Sequence, residues 1–370
     1  IFTMTIKLSV KTNSKKYPII IGKNLINNAQ DILNSCKIKF DKCLIIVDKK
    51  VPKKNLLSLK NKIKCKEIII FLFNSSEKNK NQKSVNSIIE RLFKNNFKRN
   101  DIIISFGGGI TGDVVGYAAS IYKRGLKFIN LPTTLLAQVD SSIGGKTGIN
   151  NKYGKNLIGS FYQPDCVISD INLLKSLPKR EIICGYGEIL KHSIISNKNI
   201  FKYLDKYKLK ILNLKSPYIE KAILDSCKIK KKIVQLDEKE KNLRKILNLG
   251  HTFAHAYEAS QGYSKKLNHG EAVILGIKTA TKFSLSEKIL SKKSSNIINT
   301  HIDSLNINQK YINIIKKKNI NKILRFMEND KKNISKKINL ILLKDIGKPK
   351  INLNFNIKKI KDFFIKQLIN

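Results

Sequence analysis

The sequence has no apolar run long enough to cross a bilayer. Its longest apolar runs, such as Ile68–Phe73 and Ile102–Phe106, are far shorter than the ~20 residues that a membrane helix requires. The segment after Met4 also lacks the basic and then apolar pattern of a secretory signal peptide. We therefore expect a cytoplasmic protein that does not bind membranes.

Cysteine pairs at metal-binding or redox spacing are missing as well. The six cysteines are scattered along the chain, and no two of them form a CxxC motif. This distribution argues against a disulfide framework and against a zinc site built from cysteines. We expect the cysteines to be buried or chemically indifferent thiols.

Acidic residues and arginine are scarce. The 27 Asp and Glu residues face 72 Lys and Arg residues, which gives a formal net charge of +45. Such a surplus is typical of nucleic-acid-binding proteins. However, only six of the basic residues are arginine, which is the residue best suited to bidentate recognition of bases and phosphates. The lysines are spread along the whole chain together with Asn and Ile. We attribute the charge to a composition bias, expect no nucleic-acid partner, and expect the surplus to attract anionic substrates.

Short apolar segments alternate with helix-like segments in the N-terminal half. Residues 5–22 predict a β-hairpin with alternating apolar residues. Strands are predicted at the apolar runs Cys43–Val47, Ile68–Phe73, Ile102–Phe106 and Phe128–Leu131. Strands that alternate with helices indicate βαβ units and a mostly parallel sheet.

After about Leu177 the pattern changes to helical periodicity. Helices are predicted at residues 181–195, 217–236, 252–260 and 271–290. A strand pair is expected only around Ile338–Leu343, and the helical tail 356–369 is expected to pack on the body of the protein. The sequence therefore predicts two domains, residues 1–177 and residues 178–370.

Gly107–Gly112, with the sequence GGGITG, lies between a predicted strand and a helix-like segment. This is a G-x-G-x-x-G spacing, in which missing side chains let the backbone approach a pyrophosphate at a helix N-terminus. The turn departs from the usual form because it lies far along the chain and no acidic residue follows it ~20 positions later. Asp48, at the end of another predicted strand, is an alternative ribose ligand. The alternative interpretation of Gly107–Gly112 is a tight turn that binds no ligand.

Histidines cluster in the second half of the chain. Four of the five histidines fall between positions 192 and 269. Glu188 together with His251 and His269 would supply a carboxylate and two imidazoles, the ligand set of a catalytic zinc or cobalt site with an open position. From spacing alone, His251 and His255 would be the ligand pair to choose, since they lie one helical turn apart. The residues by themselves leave the ligand set undecided.

Glycine-rich polar segments carry cationic residues. Lys146 lies in QVDSSIGGKT and Lys155 in GKNLIG, where the backbone can approach a ligand and a lysine can project toward an anion. Arg124 and Arg244 are notable because arginine is rare in this chain. We regard these residues as candidates for an anion-binding site.

Taken together, these segments resemble the 3-dehydroquinate synthase family over residues 5–350. The matching segments are GGGITGDVVGYAAS (107–120), YKRG (122–125), LPTTLLAQVDSSIGGKTGIN (131–150), GKNLIG (154–159), LPKRE (177–181), GYGEILK (185–191), RKILNLGHTFAHAYEA (244–259) and NHGEAV (268–273). The resemblance implies an α/β, Rossmann-like NAD domain followed by a mostly α-helical metal-binding domain, a homodimer, and NAD with Zn²⁺ or Co²⁺ as cofactors. It also implies a lyase of the shikimate pathway, which leads to aromatic amino acids.

The resemblance assigns roles residue by residue. The metal ligands would be Glu188, His251 and His269, which moves His255 to the substrate. NAD contacts would come from Asp48, Glu77, Lys80, Gly108, Gly109, Asp113, Thr133, Thr134, Leu136, Lys146, Lys155, Ser176, Leu177 and Glu181. Substrate contacts would come from Arg124, Asp140, Lys146, Lys155, Asn156 and Asn248. Catalytic roles would fall to Lys146, Lys191, Lys230, Glu240, Arg244 and His255, joined by Lys331 or Lys332.

Two rival functions share much of this pattern: another sugar-phosphate cyclase and a metal-dependent NAD polyol dehydrogenase. The full cationic set suits a substrate with both a carboxylate and a phosphate, which favours 3-dehydroquinate synthesis.

Some matches to the family are weaker than others. Glu77 lacks the glycine usual before it, Ser176 stands where many family members have threonine, and Lys230 lies in a run of lysines.

Overall fold

Two compact units divide the chain in the computed structural model, which describes residues 5–264, 266–307, 312–328 and 337–369. The first unit comprises Ile1–Ile182 and Leu214–Lys239, and the second comprises Ile183–Asn213 and Glu240–Asn370. The division after Ile182 lies a few residues beyond the predicted boundary at 177/178. The return of residues 214–239 to the first unit is a feature that the sequence-based division did not contain.

The first unit is built on a seven-stranded sheet. Its strands are β1 (Ile6–Lys11), β2 (Lys16–Gly22), β3 (Lys42–Asp48), β4 (Glu67–Phe73), β5 (Ile102–Gly107), β6 (Lys127–Pro132) and β9 (Cys166–Asp170), and β7 (Lys146–Asn151) and β8 (Gly154–Phe161) form a separate antiparallel hairpin. The sheet order is β1-β2-β9-β6-β5-β3-β4. The pair β1–β2 is antiparallel and the other pairs are parallel, which confirms the predicted hairpin and parallel sheet.

Helices cover both faces of this sheet. They are α1 (Ala29–Ser35), α2 (Lys53–Lys62), α3 (Gln82–Lys94), α4 (Gly109–Ile121) and α7 (Tyr218–Leu236), and α5 (Lys179–Ser196) begins in this unit. Along β3, Ile45 packs in the core cluster that includes α1 and α2, whereas Leu44 packs in the cluster that includes α3 and α4. A strand buried on both faces has an uninterrupted apolar sequence, which is why β3 and β5 could be predicted.

Helix α7 belongs to the first unit, although its helical periodicity had suggested the helical domain. It packs against β1 and the turn Ala137–Ser141. The Cys227 thiol donates to the carbonyl oxygen of Gln138 at 3.5 Å, and the backbone N–H of Lys11 donates to Oε1 of Gln235 at 3.2 Å. Periodicity shows that one face of a helix is buried but does not show which neighbour covers it.

The second unit is mostly helical. Its elements are the remainder of α5, α6 (Lys198–Leu212), α8 (His251–Ser260), α9 (His269–Ser286), α10 (Lys292–Asp303), α11 (Lys317–Glu328), β10 (Lys337–Asp345), β11 (Lys348–Asn356) and α12 (Ile357–Ile369). The strand expected near Ile338–Leu343 is part of the antiparallel pair β10–β11. The predicted tail helix packs on the body, since the Phe364 ring lies 6.1 Å from that of Phe253.

No helix among the described residues is both long and apolar enough to span a membrane. All six cysteines are free thiols in the described part of the chain. Cys36 is partly exposed. Its Sγ lies 4.0 Å from Sγ of Cys166, and this hydrogen bond lowers the pKa of Cys36 to about 6.

Candidate active site

The glycine turn joins β5 directly to α4. A Cβ on Gly107 would lie 2.5 Å from Thr111 Oγ1, and one on Gly109 would lie 2.9 Å from Ser141 Oγ, so side chains at these positions would force their neighbours to move. Gly108 caps α4 and supplies no side chain to its first-turn N–H groups. Backbone N–H groups at a helix N-terminus favour an anion. The turn therefore has the geometry of a phosphate cradle.

Other predicted NAD-binding residues lie at the same edge of the sheet. Because β3, β5, β6 and β9 are parallel, their carboxyl ends meet at one edge, where ligands of open α/β sheets collect. Asp48 ends β3, and its Cβ lies 3.1 Å from the Cβ position of Gly107. Just beyond β6 and β9 lie Thr133, Thr134, Leu136, Ser176 and Leu177, and Glu181 is in the first turn of α5.

A polar cluster connects Glu77 and Lys80, two predicted NAD contacts, to the β7–β8 hairpin. Nζ of Lys80 lies 2.5 Å from Asp113 Oδ2 and 2.6 Å from Asn156 Oδ1. Nδ2 of Asn150 donates to Glu77 Oε2 at 2.7 Å. Burial raises the pKa of Asp113, and the charge of Lys80 opposes that shift. The structure thus brings Glu77, Lys80, Asp113 and Asn156 together, as well as Lys155, whose Nζ lies 4.0 Å from Glu77 Oε1.

Two predicted site residues, Asp140 and Lys230, form an ion pair in the first unit. Nζ of Lys230, on α7, donates to Asp140 Oδ1 at 2.5 Å and to the Asp140 carbonyl oxygen at 2.7 Å. Lys230 is 6% exposed, which supports the choice of Lys230 over the other lysines of its run. Lys146 begins β7 directly after Gly145, whose φ of 65° favours glycine.

Some predicted site residues have unusual backbone conformations. Arg124, Asn156 and Glu240 adopt positive φ angles of 64°, 55° and 56°, although none of them is glycine. Holding a non-glycine residue at a positive φ angle costs free energy, and such residues are concentrated at functional sites.

In the second unit, Glu240 Oε1 accepts a hydrogen bond from Asn248 Nδ2 at 2.6 Å, which orients the amide of that predicted substrate residue.

The predicted metal ligands come together in the second unit. One ligand atom each from Glu188, His251 and His269 lies within 4.8 Å of the others. Glu188 is 1% exposed on α5, and its Oε1 lies 3.7 Å from His251 Nε2. A carboxylate and two imidazoles at this spacing suit Zn²⁺ or Co²⁺ with a position open to substrate. The donor set therefore fits the metal that the sequence pattern predicted.

Glycines allow the ligand-bearing helices to approach closely. A Cβ on Gly270 would lie 2.2 Å from the carbonyl oxygen of Cys184, and a Cβ on Gly187 would lie 2.8 Å from the carbonyl oxygen of Gly270. Each glycine is adjacent in sequence to a predicted ligand, Glu188 or His269. Side chains at these positions would separate α5 from α9 and would move the two ligands apart.

The remaining predicted residues of the second unit lie on α5, on α8 and in the turn just before α8. Lys191 is 2% exposed and forms an ion pair with Glu188, and Arg244 is also 2% exposed, within the turn Leu243–Asn248. His255 is exposed, and its ring lies 5.5 Å from that of His251. The predicted Lys331 or Lys332 lies outside the described residues.

Glu258 is a site residue that the sequence reasoning missed. Its Oε2 lies 3.0 Å from Nδ1 of His269. Burial lowers the pKa of His269, but the hydrogen bond and charge of Glu258 outweigh burial and raise that pKa overall. The signal in the sequence was the position of Glu258, two helical turns after His251 on one face of α8.

Comparisons with known proteins identify the family of this chain. The family models "3-dehydroquinate synthase N-terminal" and "3-dehydroquinate synthase C-terminal" match residues 70–184 and 185–333 in succession. A 3-dehydroquinate synthase of Pelagibacter ubique is 58% identical over 363 residues, which cover 98% of this chain and 99% of that protein. The chain belongs to the 3-dehydroquinate synthase family. The two family segments meet within α5, as do the two structural units.

A second 3-dehydroquinate synthase supports the family, and a solved structure supports the fold. A 3-dehydroquinate synthase of Campylobacter concisus is 40% identical over 344 residues, which cover 93% of this chain and 94% of that protein. A crystal structure of 2-deoxy-scyllo-inosose synthase complexed with carbaglucose-6-phosphate, NAD+ and Co2+ matches with a TM-score of 0.87 at 24% identity, covering 98% of this chain and 100% of that chain. The predicted fold, an α/β unit followed by a largely helical one, is confirmed.

Proposed function

We propose that this member of the family is itself a 3-dehydroquinate synthase. It converts 3-deoxy-D-arabino-heptulosonate 7-phosphate to 3-dehydroquinate and phosphate in the shikimate pathway. The observation that carries this proposal is the 58% identity to a 3-dehydroquinate synthase over almost the entire length of both chains. The ligand geometry supports it, because one ligand atom each from Glu188, His251 and His269 lies within 4.8 Å of the others, and Lys80 pairs with Asp113.

We assign NAD binding to the first unit. The glycine turn and the N-terminus of α4 would hold the pyrophosphate, Asp48 would hold a ribose, and the cluster of Glu77, Lys80 and Asp113 would hold the adenosine end. The other proposed NAD contacts are those at the edge of the sheet, together with Lys146 and Lys155. When bound, NAD supplies a hydride acceptor and donor. The net reaction needs no external oxidant, because substrate and products balance as a loss of phosphate.

We assign metal binding to Glu188, His251 and His269 in the second unit. When bound, Zn²⁺ or Co²⁺ supplies a Lewis acid for hydroxyl oxygens of the substrate. The chain itself keeps this site partly dry, since Glu188 is 1% exposed and His251 is 9% exposed. A low local dielectric strengthens the attraction between these ligands and a cation.

The substrate carries a carboxylate and a phosphate, and cationic residues would bind both. We assign this role to Lys146, Lys155, Arg124, Lys191, Lys230 and Arg244, with Asp140, Asn156, Glu240 and Asn248 orienting them and contacting substrate hydroxyl groups. Lys230 is fixed by Asp140, so its charge is placed before the substrate arrives. The exposed imidazole of His255 can hold or move a proton at its ring nitrogens.

We further propose a cytoplasmic homodimer that binds neither nucleic acid nor membranes. The resemblance to the family and the scarcity of arginine support this proposal. Light scattering of the protein as it elutes from a size-exclusion column measures the number of subunits. A mass of one subunit, or retention on immobilised DNA at physiological salt, would contradict it.

The decisive test of the function compares substrates. Purified protein is incubated with the heptulosonate phosphate or with glucose 6-phosphate, while phosphate, NADH and, through a coupled dehydroquinase, 3-dehydroquinate are measured. We expect 3-dehydroquinate from the heptulosonate phosphate alone, without accumulation of NADH. Turnover of glucose 6-phosphate alone would support the rival cyclase, and accumulation of NADH from a polyol without phosphate release would support a dehydrogenase.

A further inference from the structure

Glu258 and His269 form a hydrogen-bonded pair beside the proposed metal ligands. Glu258 lies on α8 and is 7% exposed, and its Oε2 lies 3.0 Å from Nδ1 of His269 at the start of α9. An ionised carboxylate can only accept a hydrogen bond, so Nδ1 of His269 carries the proton. In the neutral ring, Nε2 is then the nitrogen whose lone pair is available to a metal.

His251 is oriented in the same way by a different acceptor. Its Nδ1 lies 3.3 Å from the carbonyl oxygen of Leu249, which also only accepts, and its Nε2 faces Glu188 Oε1 at 3.7 Å. The hydrogen bond made by one ring nitrogen determines which nitrogen of a histidine binds a metal. Both proposed histidine ligands are therefore held in the tautomer that presents Nε2.

We propose that Glu258 is a positioning residue that fixes the tautomer and ring orientation of His269 and thereby sets the metal affinity. This inference rests on the metal site of the proposed function. Glu258 could instead be a direct ligand, because one atom each from His255, Glu258 and His269 also lies within 4.8 Å of the others. The hydrogen-bond geometry favours positioning, since Nδ1 of His269 and the Glu258 carboxylate already satisfy each other.

The test measures metal affinity in the full chain. Wild type and the variants Glu258→Gln, Glu258→Ala, His255→Ala and Glu188→Ala are stripped of metal, and Zn²⁺ binding is measured in competition with a chromophoric chelator. The matched control is Asp205→Asn, because Asp205 Oδ1 lies 2.7 Å from Nδ1 of His301, a buried histidine outside the proposed ligand set. Thermal unfolding of each metal-free variant reports any purely structural effect.

We expect wild type to bind one Zn²⁺ per chain and Glu258→Ala to weaken binding by about 10- to 100-fold, the usual effect of removing such a partner. Glu258→Gln, whose amide oxygen still accepts a hydrogen bond, should lose less. Asp205→Asn and His255→Ala should retain wild-type affinity. With saturating Co²⁺, Glu258→Ala should keep the visible absorption spectrum of wild type, because no direct ligand has been removed.

Three outcomes would overturn the inference. Unchanged affinity in Glu258→Ala would show that Glu258 does not support His269. A changed Co²⁺ spectrum in Glu258→Ala, with equal losses in His255→Ala and none in Glu188→Ala, would make Glu258 a direct ligand. A wild-type chain that binds no metal would overturn the metal site of the proposed function as well, so the two failures can be told apart.

Discussion

Replacing Asp113 with alanine tests the ion pair beneath the proposed NAD site. Lys80 is 4% exposed, and its Nζ lies 2.5 Å from Asp113 Oδ2. Breaking a buried ion pair from one side costs about 3–5 kcal/mol, because a buried charge loses its partner. Asn156 Oδ1 would still accept from Lys80 at 2.6 Å, and Asp113 is partly exposed. We therefore expect the lower end of that range, about 3 kcal/mol.

In the complementary variant Lys80→Met, the stability of the fold should depend on pH. Burial already raises the pKa of Asp113, and loss of the opposing Lys80 charge would raise that pKa further. A carboxyl group with a folded pKa above its unfolded value stabilises the fold only while protonated. The variant should therefore lose stability as the pH rises above the unfolded value of 3.8.

Urea unfolding of the NAD-free protein at several pH values measures both effects. The two single variants and the double variant form a cycle, and residues in direct contact should show a coupling free energy of roughly 0.5–3 kcal/mol. A cost below about 1 kcal/mol for Asp113→Ala, as is typical of exposed ion pairs, would refute the reasoning, as would strict additivity.

Other substitutions test the remaining parts of the account. Glu188→Ala removes a proposed metal ligand, so turnover should fall by at least ~1000-fold. It also leaves the buried Lys191 without its carboxylate partner, so the metal-free protein should lose about 3 kcal/mol of stability. Near-normal turnover would contradict the ligand assignment. Lys146→Ala should raise KM for the heptulosonate phosphate, and unchanged steady-state kinetics would remove Lys146 from the site. Burial raises the pKa of Glu238, but hydrogen bonds from Ser14 and Gln163 outweigh burial and hold that pKa below 4.5. Glu238→Gln should therefore cost about 2 kcal/mol at neutral pH, and this loss should disappear as the pH falls through the folded pKa; a loss that persists in acid would contradict the role of the charge.

The sheet was predictable because burial leaves a direct trace in the sequence. β3 and β5 are covered on both faces, so their apolar runs are continuous. The hairpin β7–β8 left no such trace. A Cβ on Gly148 would lie 2.5 Å from the carbonyl oxygen of Ile158, so its close strand approach depends on glycine, a residue that usually argues against a strand.

The proposed metal ligands show what residue spacing alone does not reveal. His251 and His255 lie one turn apart on α8, which made them a tempting pair, but His269 on the next helix and Glu188 on α5 are contributed by tertiary packing. No local pattern shows how closely two helices approach. Glu258 was missed for the same reason, since its role depends on a contact between α8 and α9.

The central claim is that this chain releases phosphate from the heptulosonate phosphate by a reaction that requires both a divalent metal and NAD. Phosphate release is measured for wild-type protein before and after chelation, with and without added NAD, and after Zn²⁺ or Co²⁺ is restored. We expect that chelation abolishes phosphate release, that added metal restores it, and that the amount of NADH does not rise with the phosphate released. Full activity in the chelated protein, or one NADH formed for each phosphate released, would contradict it.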